Sequence, residues 1–225
     1  MRINVYDDNI GHVLLVDNMG NDLRAVESAR VSFLLDSLDH TEPTDRDKRL
    51  LKFLLKEGHT SPFEHSVITF RLHVPLFVRS QIMRHRTFSY NEVSRRYTSE
   101  ELQAFIPSTL RAQSKKNLQC SDGELENHNV PLKRMAEHID ASLALYNRLL
   151  DAGVAREQAR AILPQAMYTT FWMTGNLHNW LKFFRLRTTD HAQEETRLVA
   201  LALQDITMKL YPTTFDILKQ LNDQE

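Results

Sequence analysis

Apolar positions recur along the chain with two periods, and the changes of period mark its elements. Ile3–Tyr6 and His12–Val16 are β-prone runs joined through Asp7-Asp8-Asn9-Ile10-Gly11, which predicts a hairpin. After a turn at Asn18–Asn21, the stretch from Asp22 to about Leu35 has helical composition, with Val26, Ala29 and Phe33 on one face. Pro43, Thr44 and Asp45 open a second helix that runs through Leu50–Leu55, and Gly58 stops it. Ser61 before Pro62 predicts an N-cap followed by proline at the first helical position. Ser66–Val74 then alternates, with Ile68, Phe70, Leu72 and Val74 on one face and Thr69, Arg71 and His73 on the other, the pattern of a half-buried strand. Pro75 ends that strand, and Leu76–Met83 suits a short helix.

Past a dense polar stretch at Arg84–Tyr97, Ser108–Asn129 is polar throughout and reads as a long loop or lid. Pro131–Leu150 returns to the helical period, with Met135, Ile139, Leu143, Tyr146 and Leu150 as its apolar stripe and Gly153 as its stop. Arg156–Ile162 is a short helix, Ala166–Met173 a buried strand, and Leu177–Leu186 and His191–Leu210 are helical. Pro212 interrupts, and Thr214–Leu221 forms a last turn or two. No repeat or linker divides the chain. The expectation is a single α+β domain over residues 1–225, with a mostly antiparallel sheet flanked by helices.

Composition narrows the function classes. The 225 residues carry 28 Lys+Arg and 29 Asp+Glu, a net charge of −1, so a bulk nucleic-acid coat is disfavoured. No run of about 18 apolar residues suggests a membrane span. The start, MRINVYDDNIGHV, lacks a basic-then-apolar leader, and a cytoplasmic protein is expected. Cys120 is the one cysteine, which excludes an internal disulfide and a Cys-based metal site. Ten histidines are present, but none form His-x-x-x-His on one helix or H-E-x-x-H, so no metal is expected. The six glycines are too scattered for G-x-G-x-x-G or a P-loop. Any nucleotide phosphate must therefore be held by side chains.

Such side chains are concentrated at 79–96, where Arg79, Arg84, Arg86, Arg95 and Arg96 face one acid, Glu92, for a local charge of +4. Guanidinium forks grip phosphates and planar imide edges in a bidentate way that lysine cannot. Charge alone fits a solvated basic face equally well. The order of residues adds more. Arg84-His85-Arg86, seven residues and then Ser94, with Arg95, Arg96 and Tyr97 behind it, resembles the signature of the flavin-dependent thymidylate synthases. Ala29-Arg30-Val31-Ser32-Phe33, His59-Thr60-Ser61-Pro62-Phe63-Glu64-His65, Ala159-Arg160-Ala161-Ile162-Leu163-Pro164, Asn176 and Arg185-Leu186-Arg187-Thr188-Thr189-Asp190-His191-Ala192-Gln193 resemble further blocks of that family, in family order.

The resemblance implies methylation of dUMP at C5 to dTMP. Methylenetetrahydrofolate would be the carbon donor, FAD the hydride carrier and NADPH the reductant, in a homotetramer with shared active sites. It implies Arg187 as the catalytic arginine that polarises the uracil ring. It implies substrate contacts at Gln81, Arg84, Glu92, Ser94, Arg95, Arg96 and Arg160, with Arg96 and Arg160 on the phosphate. It implies FAD contacts at Ser32, Ser61, Arg84, His85, Arg86, Glu92, Asn176 and His178, and places His59 near flavin and folate.

The chemistry of the residues agrees on separate grounds. Uracil C5 is a weak nucleophile that needs activation, either by thiol addition at C6 or by a cation fixed on the imide. Cys120 lies in a polar stretch with no adjacent His, a thin setting for a reactive thiolate. Ser94 lacks an evident His–Asp pair, so binding suits it better than nucleophilic attack. Two rival readings are a nucleic-acid module stacking bases on Phe88, Tyr90 and Tyr97, and a flavin-binding protein without turnover. The first calls for a basic net charge, and the second leaves the full arginine set without a task.

Overall fold

The computed structural model describes residues 1–34, 39–100 and 102–223. Strand β1 (Arg2–Asn4) pairs antiparallel with β2 (His12–Met19), as the hairpin pattern predicts. The five-stranded sheet continues through β3 (Val67–Pro75) to β7 (Tyr168–Asn176) and ends at β4 (Ser89–Glu92), every pair antiparallel. The order β1-β2-β3-β7-β4 puts the two longest apolar runs side by side at the centre. Phe70 lies opposite Met173, and Leu72 opposite Phe171, all turned inward. Over that face pack α6 (Leu177–Arg187) and α7 (Glu194–Leu210), whose Trp180, Phe183, Val199, Leu203 and Ile206 are fully enclosed. The Trp180 indole N–H lies 3.1 Å from the Gly175 carbonyl and 3.3 Å from that of Ile68, which satisfies the one polar atom this ring brings into the core.

The first two helices start where the sequence predicts. Asn21 caps α1 (Asp22–Arg30), its side chain accepting from Leu23 N. Thr44 caps α2 (Asp45–Lys56) in a reciprocal box with Asp47. Gly58, at φ +69°, takes the left-handed position that ends α2 and turns the chain toward His59. The remaining helices are α3 (Leu76–Ile82), α4 (Asn129–Asp151), α5 (Arg156–Ala159) and α8 (Pro212–Asn222), the last starting on its proline. Among the described residues no helix is long and apolar enough to cross a membrane.

Five details differ from the pattern. The first helix stops at Arg30 and tightens into a 3-10 turn at Val31–Phe33, and Leu35 lies outside the described residues. Ser61 caps nothing: Ser61–His65 is a 3-10 turn preceded by Thr60. β2 runs on to Met19, its last residues exposed, because backbone pairing with β3 outlasts the hydrophobic alternation. His73, on the polar side of β3, is buried, sharing a 2.7 Å hydrogen bond with Thr170 and stacking on Tyr168 at 4.9 Å. The polar stretch at 108–129 contains an antiparallel hairpin, β5 (Arg111–Gln113) with β6 (Ser121–Glu124).

Candidate active site

The connection between α3 and β4 is held at three points. Phe88 drops into the core against Trp180, ring centres 4.7 Å apart, and lies so close to Gly175 that a Cβ there would sit 2.4 Å from its ring. Asn176 caps α6 by accepting from Asn179 N at 2.9 Å, and the Asn179 side chain donates to the Thr87 carbonyl at 3.3 Å. The Tyr90 hydroxyl lies 3.1 Å from the Ile82 carbonyl and 2.9 Å from that of His85, and burial keeps this phenol protonated by pushing its pKa up. These anchors leave Gln81 and the Arg84-His85-Arg86 turn facing the C-terminal end of α6.

Arg187 is the last residue of α6 and meets them there. Its Nε donates to His85 Nε2 at 2.9 Å, its Nη1 to Gln81 Oε1 at 3.4 Å and its Nη2 to the Gln81 carbonyl at 3.3 Å. Three of its five N–H groups are thus occupied. One on each Nη is left to grip a planar carbonyl edge. Burial and the neighbouring Arg84 charge lower its pKa from the usual arginine value. Arg187 still keeps its charge at neutral pH. The same environment acts on His85. Burial first, then Arg187 and Lys182, lower its pKa to about 4. His85 is therefore neutral at pH 7, and its Nε2 lone pair is the acceptor that Arg187 needs.

The other expected residues fall outside this cluster. Glu92, on β4, accepts from Thr169 Oγ1 at 2.7 Å and pairs with Arg79 Nε at 3.1 Å. The turn after β4 exposes Arg96, 4.0 Å from Glu157 of α5. Ser94 Oγ accepts from Arg96 N at 3.3 Å, and Arg95 donates to the Glu100 carbonyl. Arg160 follows Glu157 by one turn and is exposed, so Arg96 and Arg160 belong to one basic patch. His59, stacked on Phe53 at 5.5 Å, and His178 line a groove of about 760 Å³ between the end of α2, α6 and α8. Leu54, Leu181 and Phe184 form apolar walls there, and Lys182 adds a cation. Ser61 is exposed two residues from His59, while Ser32 sits on the exposed 3-10 turn after α1, and Arg86 is exposed beside His85.

Two members of this constellation were not singled out from sequence. Arg79 is the partner of Glu92, and the +4 count of the basic stretch had included it without giving it a task. Gln193 accepts from Gln81 Nε2 at 2.7 Å, a contact between residues 112 apart that no periodicity could show. Cys120 stands on the hairpin. Asn117 Nδ2 donates to its Sγ at 3.1 Å, and the thiol points to the His191 carbonyl at 3.7 Å.

The chain as a whole has known relatives. The model of the thymidylate synthase complementing protein family matches residues 14–213. A flavin-dependent thymidylate synthase of Kosmotoga olearia is 40% identical over 92% of this chain and 89% of its own length. One of Thermus thermophilus is 39% identical over 90% of this chain and 73% of its own. A UMP/dUMP methylase of Streptomyces cacaoi, solved with 5-Br dUMP, superposes with a TM-score of 0.84 at 32% identity, covering 92% of this chain and 94% of that one. With the matched region taking in every residue of the Arg187 cluster, the chain belongs to the thymidylate synthase complementing protein family and is an enzyme of the flavin-dependent thymidylate synthase class.

Proposed function

We propose that this enzyme converts dUMP to dTMP, with methylenetetrahydrofolate as carbon donor, FAD as resident cofactor and NADPH as reductant, in a homotetramer whose active sites are shared. The net change replaces the C5 hydrogen by a methyl group. The folate methylene brings the carbon, a hydride completes the methyl, and the C5 proton leaves. The carrying observation is Arg187, fixed on one side by a neutral histidine and a glutamine, with N–H groups left on the other.

That geometry suits the imide edge of a pyrimidine. A preorganised guanidinium stabilises negative charge on the imide without any proton transfer, which raises electron density at C5. Arg96 and Arg160 supply the cationic patch for the 5′-phosphate, with Ser94 beside them. Glu92, with Thr169 and Arg79 on its Oε1, keeps its second oxygen for a ligand N–H or hydroxyl. Cys120, bound by Asn117 on the hairpin, is given no task in bond formation.

The groove lined by His59, His178 and Lys182 fits a flavin dinucleotide by its donor set: apolar walls for the ring system and cations for the pyrophosphate, in a chain without a glycine-rich phosphate loop. When bound, FAD supplies the hydride chemistry that this chain's side chains lack. The chain's residues hold that group and orient the pyrimidine.

The test is an anaerobic assay with dUMP, methylenetetrahydrofolate, NADPH and FAD, scored by dTMP formation, with UMP run beside dUMP. Arg187→Ala should abolish tritium release from C5-labelled dUMP while leaving bound flavin. Full turnover in that variant would show that another group polarises the ring.

A further inference from the structure

A line of side-chain hydrogen bonds leaves the Arg187 cluster and ends on the β5–β6 hairpin. Arg187 Nη1 donates to Gln81 Oε1 at 3.4 Å, and Gln81 Nε2 donates to Gln193 Oε1 at 2.7 Å. Gln193 Nε2 donates to Glu195 Oε2 at 3.0 Å. From the other side, Arg111 Nη2 donates to Glu195 Oε1 at 2.6 Å, and Arg111 Nε to Ser121 Oγ at 2.9 Å. From Arg187 through Gln81 and Gln193, and from Arg111 Nη2, the donors point toward the Glu195 carboxylate, while Arg111 Nε ties the other end to Ser121 of the hairpin.

The direction has a chemical cause. The two ends of a glutamine amide have nearly the same shape, so their placement is decided by what each end meets. An ionised carboxylate only accepts. Glu195 therefore draws the NH2 of Gln193, which leaves the Gln193 oxygen for Gln81. Gln81 must then offer its own NH2 to Gln193 and its oxygen to Arg187. Reversed, the line would set an NH2 against a guanidinium, two donors with no acceptor between them.

The surroundings hold the source of that direction still. Glu195 is buried at 8% exposure, and its carbonyl accepts from the Tyr6 hydroxyl at 3.1 Å. Gln193 precedes α7, yet its side chain makes no capping bond there, so the relay is its evident task. Both amide ends of Gln81 are used within the chain, which suits holding Arg187 better than touching substrate.

We propose that Glu195 and Gln193 are positioning residues. The carboxylate, clamped by Arg111 of the hairpin, sets the amide orientation through which Gln81 holds Arg187. The inference rests on the reading of Arg187 as the group that polarises the pyrimidine.

The experiment is a double-mutant cycle on the full-length holoenzyme: Gln193→Met, Gln81→Met and the pair, each measured for kcat and KM by tritium release from C5-labelled dUMP, for FAD affinity and for melting temperature. Gln193→Met is expected to lower kcat about tenfold with FAD affinity and melting temperature unchanged. It is expected to have no further effect in the Gln81→Met background, because its influence passes through Gln81. Glu195→Gln, which exchanges one oxygen for NH2, is expected to show the same kcat loss. An unchanged kcat in Gln193→Met, or an equal loss in both backgrounds, overturns the proposal. Should Glu195→Gln fold poorly, Gln193→Met decides alone. Arg187→Ala keeps the two readings apart. Turnover surviving there refutes the role of Arg187, whereas loss there beside an inert Gln193→Met refutes only the relay.

Discussion

The neutral state of His85 has a consequence for stability in acid. Its pKa falls from 6.5 to about 4, by burial first and then by the charges of Arg187 and Lys182. Between those values the unfolded chain binds a proton at this residue that the folded chain refuses, so stability rises with pH across the window and is lost as pH drops from about 6.5 toward 4. At about 1.4 kcal/mol for each tenfold change in proton affinity, the whole difference would be worth roughly 3 kcal/mol. The ring is only partly buried, and solvent screening cuts this to roughly 1–2 kcal/mol. For a chain of this length that corresponds to a melting-temperature change of roughly 2–8 °C. His85→Gln keeps an acceptor near the Nε2 position and does not titrate. Calorimetry of both proteins from pH 7.5 to 4.5 should therefore show the natural protein losing its advantage over the variant as the pH falls. A difference that stays flat through this range would mean that His85 takes up its proton as an exposed histidine does, and that its role as a neutral acceptor for Arg187 is wrong.

Two further substitutions test neighbouring points. Gly175→Ala places a Cβ at 2.4 Å from the Phe88 ring, so the ring must shift. The cost should be about 1–3 kcal/mol. Thermal unfolding should show a clear drop and activity should fall with it, because Phe88 anchors the turn that carries His85; an unchanged melting temperature would show that the ring moves freely. Cys120→Ala should leave dTMP formation intact, since the thiol is bound within the hairpin. Loss of tritium release in that variant would put sulfur back into the mechanism.

The sequence was most legible where one physical cause acts alone. Alternation fixed the inward face of β3 because Ile68, Phe70, Leu72 and Val74 all turn to one core, and Gly58 marked the end of α2 because only its left-handed φ of +69° matters there. β4 escaped notice because Ser89–Glu92 is a short edge strand, paired by backbone to β7 with no apolar face to reveal it. The β5–β6 hairpin escaped for the same reason, as its strands are almost wholly exposed. Within the site, residue types and order carried Arg187, His85 and Gln81, but not their mutual arrangement. His85 reads as a flavin contact by resemblance, whereas its Nε2 is spent on Arg187. The Arg79–Glu92 pair and the Gln81–Gln193 bond are tertiary contacts, set by how α3, β4 and the loop before α7 come together.

The placement of the groove carries the last argument. His178, Lys182 and Arg185 turn from α6 toward α2 and α8 and line it, while Arg187 turns toward α3 and does not. His178 and Arg187 also lie nine residues apart on that helix, about 14 Å along its axis. Reacting atoms must come within about 3–3.5 Å of one another. If His59 and His178 hold the flavin and Arg187 the pyrimidine, as proposed, sites shared between two copies of the chain would bring the two ligands together more readily than one chain alone. Two inactive variants, Arg187→Ala and His59→Ala, make this testable. Unfolded and refolded together in equal amounts, shared sites would leave about a quarter of the combinations with both residues intact. Tritium release should then return to about that fraction of the parent enzyme, from two preparations that are each inactive alone. A mixture as inactive as its components, with mixed oligomers confirmed by native mass spectrometry, would place the whole site within one chain and remove the argument for sharing.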